Sequence, residues 1–81
     1  MELEITIPEC VETFRANRIK MSIETLQAGI QSGAFASFAI CIPPTVGKTT
    51  LYKYKISRLG FARTLKDFWG AKIMPEGVDD E

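Results

Sequence analysis

The first apolar pattern in the chain predicts a helix over residues 7–16. Thr6 is a suitable N-cap, Pro8 suits the first turn, and Glu9 completes a capping box with Thr6. Four apolar residues follow the helical spacing i, i+3, i+4 and i+7: Ile7, Cys10, Val11 and Phe14. Because Cys10 falls within this stripe, we expect its thiol to be buried and unreactive.

A second pattern predicts a helix over residues 23–32. Ser22 is a favourable N-cap, Glu24 complements the helix dipole in the first turn, and Gly33 is a natural stop. The residues expected to face the core are Ile23, Leu26 and Ile30, and those expected on the opposite face are Glu24, Gln27, Ala28 and Gln31. In the short basic connection between the helices, we expect Asn17 to take the left-handed conformation that ends the first helix.

Alternating apolar residues then predict a hairpin. Its strands cover residues 35–42 and 50–56, and residues 43–49 have the composition of a long turn. In the first strand, the expected faces are Phe38, Ile40 and Ile42 against Ala39 and Cys41. In the second strand, they are Tyr52, Tyr54 and Ile56 against Leu51, Lys53 and Lys55.

The last helix is predicted between Ser57 as its N-cap and Gly70 as its stop. Its apolar stripe is formed by Phe61, Leu65 and Phe68 and is widened by Trp69. Residues 2–7 alternate, which predicts a short edge strand or an extended lead-in. Residues 71–81 have the composition of a frayed acidic tail.

These elements predict an α+β fold in the form of a small winged helix-turn-helix. Two helices are followed by a β-hairpin wing and a C-terminal helix. We expect a single domain over residues 1–70, with the tail after it. No internal repeat or linker divides the chain.

Composition excludes several kinds of chemistry. The 81 residues contain no His and two Cys, so an imidazole base, a His metal ligand and a tetrahedral cysteine zinc site are excluded. No carboxylate pair or paired nucleophile stands out, and we expect a non-enzyme with no cofactor, metal or small-molecule substrate. The longest apolar run, residues 38–44, is too short for a membrane span, and the acidic N-terminus is unlike a signal peptide. We therefore expect a cytoplasmic protein without membrane association.

One short motif resembles the end of a phosphate-binding P-loop. Residues 46–50 read Val-Gly-Lys-Thr-Thr, but the position that the motif requires to be glycine is Ile42. Pro43 and Pro44 follow, and they have no N–H to offer a phosphate. A strand is also predicted after the motif where a P-loop has a helix. We therefore do not expect nucleotide binding.

Charge is distributed unevenly although the ten bases and ten acids sum to zero. Residues 1–12 and residues 76–81 each carry four acids and no base. Residues 13–75 hold all ten bases and two acids, which gives 10 − 2 = +8. A domain of this charge attracts polyanions. The alternative interpretation is a solvated basic surface with charged termini.

The order of elements and the positions of the bases together favour double-stranded DNA as the partner. In a winged helix-turn-helix, the second helix enters the major groove and presents its polar face to the bases. The residues expected on that face of the recognition helix are Glu24, Gln27, Ala28 and Gln31. The residues expected at the DNA backbone or from the wing are Arg15, Arg18, Lys20, Lys48, Thr49, Lys53 and Lys55. The alternative is that Gln and Lys are simply common on solvated helices and hairpins.

Residues 5–69 also resemble the small excisionase-type winged-helix proteins of phages and integrative elements, relatives of the MerR-like DNA-binding domains. The resemblance depends on residues 5–9 opening the first helix, residues 22–33 as the recognition helix and its stop, and residues 52–57 after the wing. Two features depart from the pattern: the connection over residues 15–21 is longer than usual, and the recognition helix has Gln where Arg is frequent.

The resemblance implies an architectural DNA-binding protein of a prophage or mobile element. Such proteins bind repeated sites side by side, bend the DNA and assist a tyrosine integrase in excision. The implied partners are thus DNA, an integrase or other recombinase, and further copies of the chain along tandem sites. A small transcriptional regulator of a mobile element is an equal alternative for the same fold.

A protein-interaction module, such as an antirepressor, is the alternative from a different class. Its acidic ends and aromatic-rich last helix would then bind a protein partner, with Trp69 as the interface anchor. The competing interpretation of Trp69 is an aromatic at the edge of the core.

Overall fold

A computed structural model describes residues 2–45, 47 and 51–78 and has an α+β fold. Its elements are α1 (Ile7–Ala16), α2 (Ile23–Ser32), β1 (Ala39–Ile42), β2 (Lys53–Ile56) and α3 (Arg58–Trp69). The two strands form one antiparallel hairpin. This order is compatible with a small winged helix-turn-helix, so the predicted fold class is confirmed.

The helix boundaries follow from their capping residues. Thr6 and Glu9 form the predicted capping box at α1, since each side chain accepts a hydrogen bond from the backbone N–H of the other. Ser22 and Ser57 cap α2 and α3 by accepting from backbone N–H groups three residues ahead. Both of these helices end at a glycine in the left-handed conformation, Gly33 and Gly70.

All three helices and the hairpin contribute to one core. Its fully buried side chains are Phe14, Phe61, Leu26, Ile56, Leu65 and Cys10. The ring of Phe14 lies edge-on to two others, with ring centroids 5.2 Å from Phe61 and 5.0 Å from Trp69. The prediction that Cys10 is buried is confirmed, and burial raises the pKa of its thiol to about 12.

The N-terminal residues form an extended lead-in beside β2. The Ile5 N–H donates to the Ile56 carbonyl at 3.1 Å, and the Arg58 N–H donates to the Leu3 carbonyl at 2.8 Å. A single antiparallel bridge joins Glu4 and Ser57. Of the two predicted alternatives, the structure therefore has the lead-in.

The prediction for the first strand is wrong in its start and in the face that it gave Phe38. Residues 33–38 form consecutive turns, so Phe38 reaches the core from a turn and the strand begins only at Ala39. The register pairs Ala39 with Ile56 and Cys41 with Tyr54, which directs these residues inward and leaves Ile40 and Ile42 exposed. In β2 the prediction that Tyr54 and Ile56 share a face is confirmed, and that face points inward.

Two apolar side chains that were expected in the core are exposed. Ile23 is 46% exposed because it lies in the first turn of α2, at the edge of the stripe that Leu26 and Ile30 form. Phe68 is 76% exposed because the buried stripe of α3 continues from Leu65 to Trp69 instead.

Asn17 has a different role from the predicted one. Its φ is −90°, and the left-handed residue is its neighbour Arg18 at φ 63°. The Asn17 amide nitrogen donates to the Thr13 and Ile73 carbonyls at 2.9 and 2.8 Å. Its amide oxygen accepts from the backbone N–H groups of Lys72 and Ile73 at 3.3 and 2.9 Å.

The chain after α3 packs against the domain through residues 71–78, where the sequence predicted a frayed tail. Asn17 holds the backbone of Ile73, Met74 packs against the core, and Pro75 is buried. Side-chain hydrogen bonds from distant residues thus hold this segment against the domain, which its composition did not predict. The three terminal acids, residues 79–81, lie outside the described residues. Within the described part of the chain, no helix combines the length and apolar character needed to cross a membrane.

Candidate nucleic-acid interface

The four predicted recognition residues share one face of α2. Glu24, Ala28 and Gln31 are exposed and Gln27 is half-buried, while Leu26 and Ile30 on the opposite face are buried. The amphipathic pattern of the helix therefore fixes which side faces solvent. These are the residues that helical spacing predicted to share this face.

A basic groove adjoins the first turn of α2. It is open, has a volume of about 550 Å³, and is lined by Arg15, Arg18, Ile19, Lys20, Met21, Ser22 and Thr25. The three predicted backbone-contacting bases before α2 therefore line one depression. All three are exposed. The Arg15 Nε donates to the Met21 carbonyl at 3.3 Å, which joins the last turn of α1 to the residue before the N-cap of α2.

The electrostatics of the basic groove favour an anion. The N-terminus of α2 opens beside it, and the first backbone N–H groups of a helix, together with its dipole, attract negative charge. The ion pairs among the described residues involve Lys55 and Arg58 and none of the three groove bases. Arg15, Arg18 and Lys20 are therefore without a carboxylate partner within the described ranges.

The wing residues that were predicted to contact phosphates differ in exposure, in pairing and in whether the structure describes them. Lys53 and Lys55 are exposed on its outer face, opposite Ile42 and Ile40 in the register. The Lys55 Nζ lies 3.5 Å from a carboxylate oxygen of Glu4, so the N-terminal lead-in compensates this base. The other two predicted wing residues, Lys48 and Thr49, lie outside the described residues.

A side-chain hydrogen bond joins α2 to β2. The Gln31 Nε2 donates to the Tyr54 hydroxyl at 2.6 Å, and we call this contact the Gln31–Tyr54 link. The alternation of β2 predicted that Tyr54 shares a face with Ile56. It did not predict which helical residue Tyr54 meets, because that depends on how the hairpin packs against α2.

Arg58 is a base that sequence reasoning did not single out. Its guanidinium donates to the backbone carbonyls of Glu2, Glu4 and Glu76 at 2.9, 3.0 and 2.8 Å. It also lies 3.8 Å from carboxylate oxygens of Glu2 and Glu9. We call this arrangement the Arg58 anchor. It joins both ends of the described chain to α3, so this positive charge is committed to the fold.

Glu9 is the acid most affected by these contacts. Its carboxylate accepts from the Thr6 backbone N–H at 3.2 Å and from the Thr6 hydroxyl at 2.9 Å. These bonds, followed by the nearby Arg58 charge, lower the pKa of the Glu9 carboxyl.

The two aromatic residues at the end of α3 have different environments. Trp69 is half-buried against Phe14, which agrees with the core-edge interpretation. Phe68 lies edge-on to Trp69 at 4.8 Å between ring centroids and is largely exposed. Phe68 is therefore the more accessible of these two aromatic rings.

Comparisons with protein-family models, curated proteins and solved structures find no match to this chain.

Proposed function

We propose that this protein binds double-stranded DNA sequence-specifically, with α2 as its recognition helix. The observation that carries the proposal is the basic groove at the first turn of α2, next to a helix face that carries two glutamines. Arg15, Arg18 and Lys20 supply sequence-independent attraction to phosphates. Gln27 and Gln31 have the paired donor and acceptor that suit adenine in the major groove.

Lys53 on the outer face of the wing is a further candidate for a phosphate contact, and its neighbour Tyr54 contacts Gln31 in the last turn of α2. Lys55 is a weaker candidate because Glu4 already compensates its charge. The basic groove and the wing thus lie at opposite ends of the exposed face of α2. A duplex lying along that face would meet both.

The family resemblance extends the proposal to an architectural role. An excisionase-like protein would bend its DNA and bind tandem sites beside a recombinase, whereas a transcriptional regulator could occupy a single operator without bending it. End-to-end energy transfer on labelled duplexes distinguishes these roles. The architectural role predicts that the ends approach each other as protein is added, and an unchanged distance would favour the regulator.

The salt dependence of binding to random-sequence duplex DNA tests the proposal directly. A protein that uses phosphate contacts loses affinity steeply as salt rises, because bound counterions are released. Replacing the three groove bases should reduce the magnitude of the log K against log salt slope by about 3, since each phosphate contact contributes about 0.9. We suggest Arg15→Gln, Arg18→Asn and Lys20→Gln, because Asn tolerates the left-handed backbone at position 18.

A matched triple variant removes the same charge elsewhere. Arg63→Gln, Lys66→Gln and Lys72→Gln replace three exposed bases on and just after α3. The proposal predicts that this variant keeps most of the wild-type slope. Equal slopes in the two triple variants would mean that net charge and not the groove drives binding. If the wild-type protein shows no duplex binding at low salt, the proposed function is wrong.

Exposure of Phe68 favours a protein-interaction module as the second candidate. In that case Phe68→Ser would weaken binding to the protein partner and leave the DNA salt slope unchanged. Trp69 is unsuitable for the same test because its removal would disturb the packing on Phe14.

A further inference from the structure

The Gln31–Tyr54 link leaves both partners with unused hydrogen-bonding groups. The Gln31 amide nitrogen has two hydrogens and uses one of them on Tyr54, so one N–H and the amide oxygen remain. The Tyr54 hydroxyl accepts this bond and keeps its own proton to donate. The link thus orients the Gln31 amide and leaves one of its N–H groups and its oxygen available.

Tyr54 is well placed to hold another side chain still. It lies on the inner face of β2, opposite Cys41, and its ring packs against the core. Two residues after Tyr54, Ile56 is buried and its carbonyl accepts a hydrogen bond from the Ile5 N–H. The strand β2 is therefore bonded to β1 on one edge and to the N-terminal lead-in on the other. Gln31, in contrast, is an exposed side chain near the end of α2, with several rotatable bonds. Of the two partners, Tyr54 is the fixed one.

We propose that Tyr54 is a positioning residue that presets the Gln31 amide for reading one base pair, an inference that rests on the proposed DNA binding. Reading adenine in the major groove requires a donor and an acceptor presented together by one amide. The oxygen and the second N–H of Gln31 supply that pair. Holding the side chain before binding reduces the rotamer freedom that complex formation would otherwise remove.

The decisive variant is Tyr54→Phe, which removes the hydroxyl and keeps the ring that packs on the core. Wild-type and variant proteins are each used to select sequences from one random duplex library. We expect Tyr54→Phe to lower the preference at a single base position by about 3- to 10-fold, the cost of one unrestrained side chain. Affinity for unselected duplex should stay unchanged because no phosphate contact is lost.

Tyr52→Phe is the matched control. Tyr52 is exposed, lies just before β2, and lacks the contact with Gln31. Its variant should select the same sequences as the wild type. An equal loss of preference in Tyr52→Phe and Tyr54→Phe would overturn the assignment to the link.

A double-mutant cycle tests whether Tyr54 acts through Gln31. In a Gln31→Ala background, Tyr54→Phe should have no further effect on base preference. A full additional loss in that background would mean that Tyr54 contacts DNA itself, and the positioning role would be wrong.

A measurement on the free protein separates this inference from the proposed function. The Gln31 side-chain amide signals in the ¹⁵N–¹H NMR spectrum should shift in Tyr54→Phe and not in Tyr52→Phe. If those signals do not move, the link is absent and the inference fails whatever the protein binds. If they move but the wild-type protein selects no sequence, the proposed recognition function fails. If wild-type selection succeeds and Tyr54→Phe selects the same bases with the same strength, only the positioning role is overturned.

Discussion

The Arg58 anchor and the Gln31–Tyr54 link are both polar contacts between segments that are distant in sequence, yet they differ in burial. The Arg58 side chain is only 5% exposed and donates to three backbone carbonyls. The link is a single hydrogen bond at an exposed position. A buried guanidinium is costly unless its donors are satisfied, so the anchor is a fixed part of the fold. If the link is broken, water can satisfy the exposed groups, so its loss costs the fold little.

The difference shows why a count of charges describes this protein incompletely. The segment over residues 13–75 carries a charge of +8 by sequence, and one of its bases, Arg58, lies near the carboxylates of Glu2 in the N-terminal lead-in and Glu9 in α1. A second, Lys55, is paired with Glu4. The bases of the basic groove have no such carboxylate within the described part of the chain. Only burial and pairing distinguish the bases that hold the fold from those that can meet a phosphate.

Removing Arg58 should have the largest effect on stability. Arg58→Met keeps much of the aliphatic length but loses three charge-assisted hydrogen bonds. We expect the free energy of unfolding in urea to fall by about 3 kcal/mol or more, since hydrogen bonds to charged groups contribute about 1.5–3 kcal/mol each before the freed carbonyls regain water. Arg58→Lys should recover only part of this, because an ammonium cannot span three carbonyls as a planar guanidinium does.

Arg63→Met is the control for the Arg58 variants. Arg63 is exposed on the same helix, and we expect its replacement to change stability by less than about 0.5 kcal/mol. Similar losses for the two methionine variants would contradict the anchoring role of Arg58.

Removing the Asn17 contacts should have the second largest effect on stability. Asn17→Ala removes the hydrogen bonds that hold the backbone of Ile73, and we expect a loss of about 1–2 kcal/mol. The effect should be local: replacing Asn17 should accelerate amide hydrogen exchange at Ile73 more than at buried core residues, relative to the wild type. Asn17→Asp keeps the acceptor for the backbone N–H groups and loses the donor, so it should retain part of the protection. Unchanged exchange at Ile73 in Asn17→Ala would contradict this account of the C-terminal segment.

Much of the fold follows from local signals in the sequence. Caps and stops such as Thr6, Ser22 and Gly33 are local, and the structure confirms the predicted bounds of α1 and α2. The errors arise where a distant contact decides. Phe38 packs against Phe61 from the turn before β1, and the ring of Phe14 selects Trp69 over Phe68. No local pattern contains that information.

In the candidate site, too, local sequence patterns predicted some features, whereas others depend on distant contacts. Helical spacing predicted that Gln27 and Gln31 share a face, and proximity in sequence predicted that the bases before α2 lie near its first turn. The burial of Arg58 and the pairing of Lys55 could not be predicted, because both depend on where the N-terminal lead-in lies against the hairpin.

Glu9 should make stability depend on pH. The pKa of its carboxyl is lowered in the folded protein, so the charged form stabilises the fold above its ordinary value of 4.5. This stabilisation should be lost as the pH falls below 4.5 and through the lowered pKa. Glu9→Gln keeps an acceptor for Thr6 and removes the titration. We therefore expect the wild-type advantage in urea unfolding at pH 7 to decrease progressively as the pH is lowered below 4.5.

Glu12→Gln removes one exposed negative charge from the same helix and serves as the control for Glu9→Gln. The difference between Glu9→Gln and Glu12→Gln should depend on pH in the direction given above. A difference that stays constant from pH 7 to pH 3 would contradict the role of the Thr6 and Arg58 contacts.

The smallest effect on stability is expected from breaking the Gln31–Tyr54 link. Tyr54→Phe keeps the packed ring, and the freed Gln31 amide can bond to water, so the free energy of unfolding should change by less than about 1 kcal/mol. Arg58→Met and Tyr54→Phe should rank in opposite order for loss of stability and for loss of base preference. Arg58→Met should greatly lower stability and, at a temperature where the variant is still folded, leave base preference intact. Tyr54→Phe should barely change stability and reduce base preference. If Tyr54→Phe destabilises the domain as much as Arg58→Met, the link belongs to the structural core like the anchor, and burial is not what separates these two contacts.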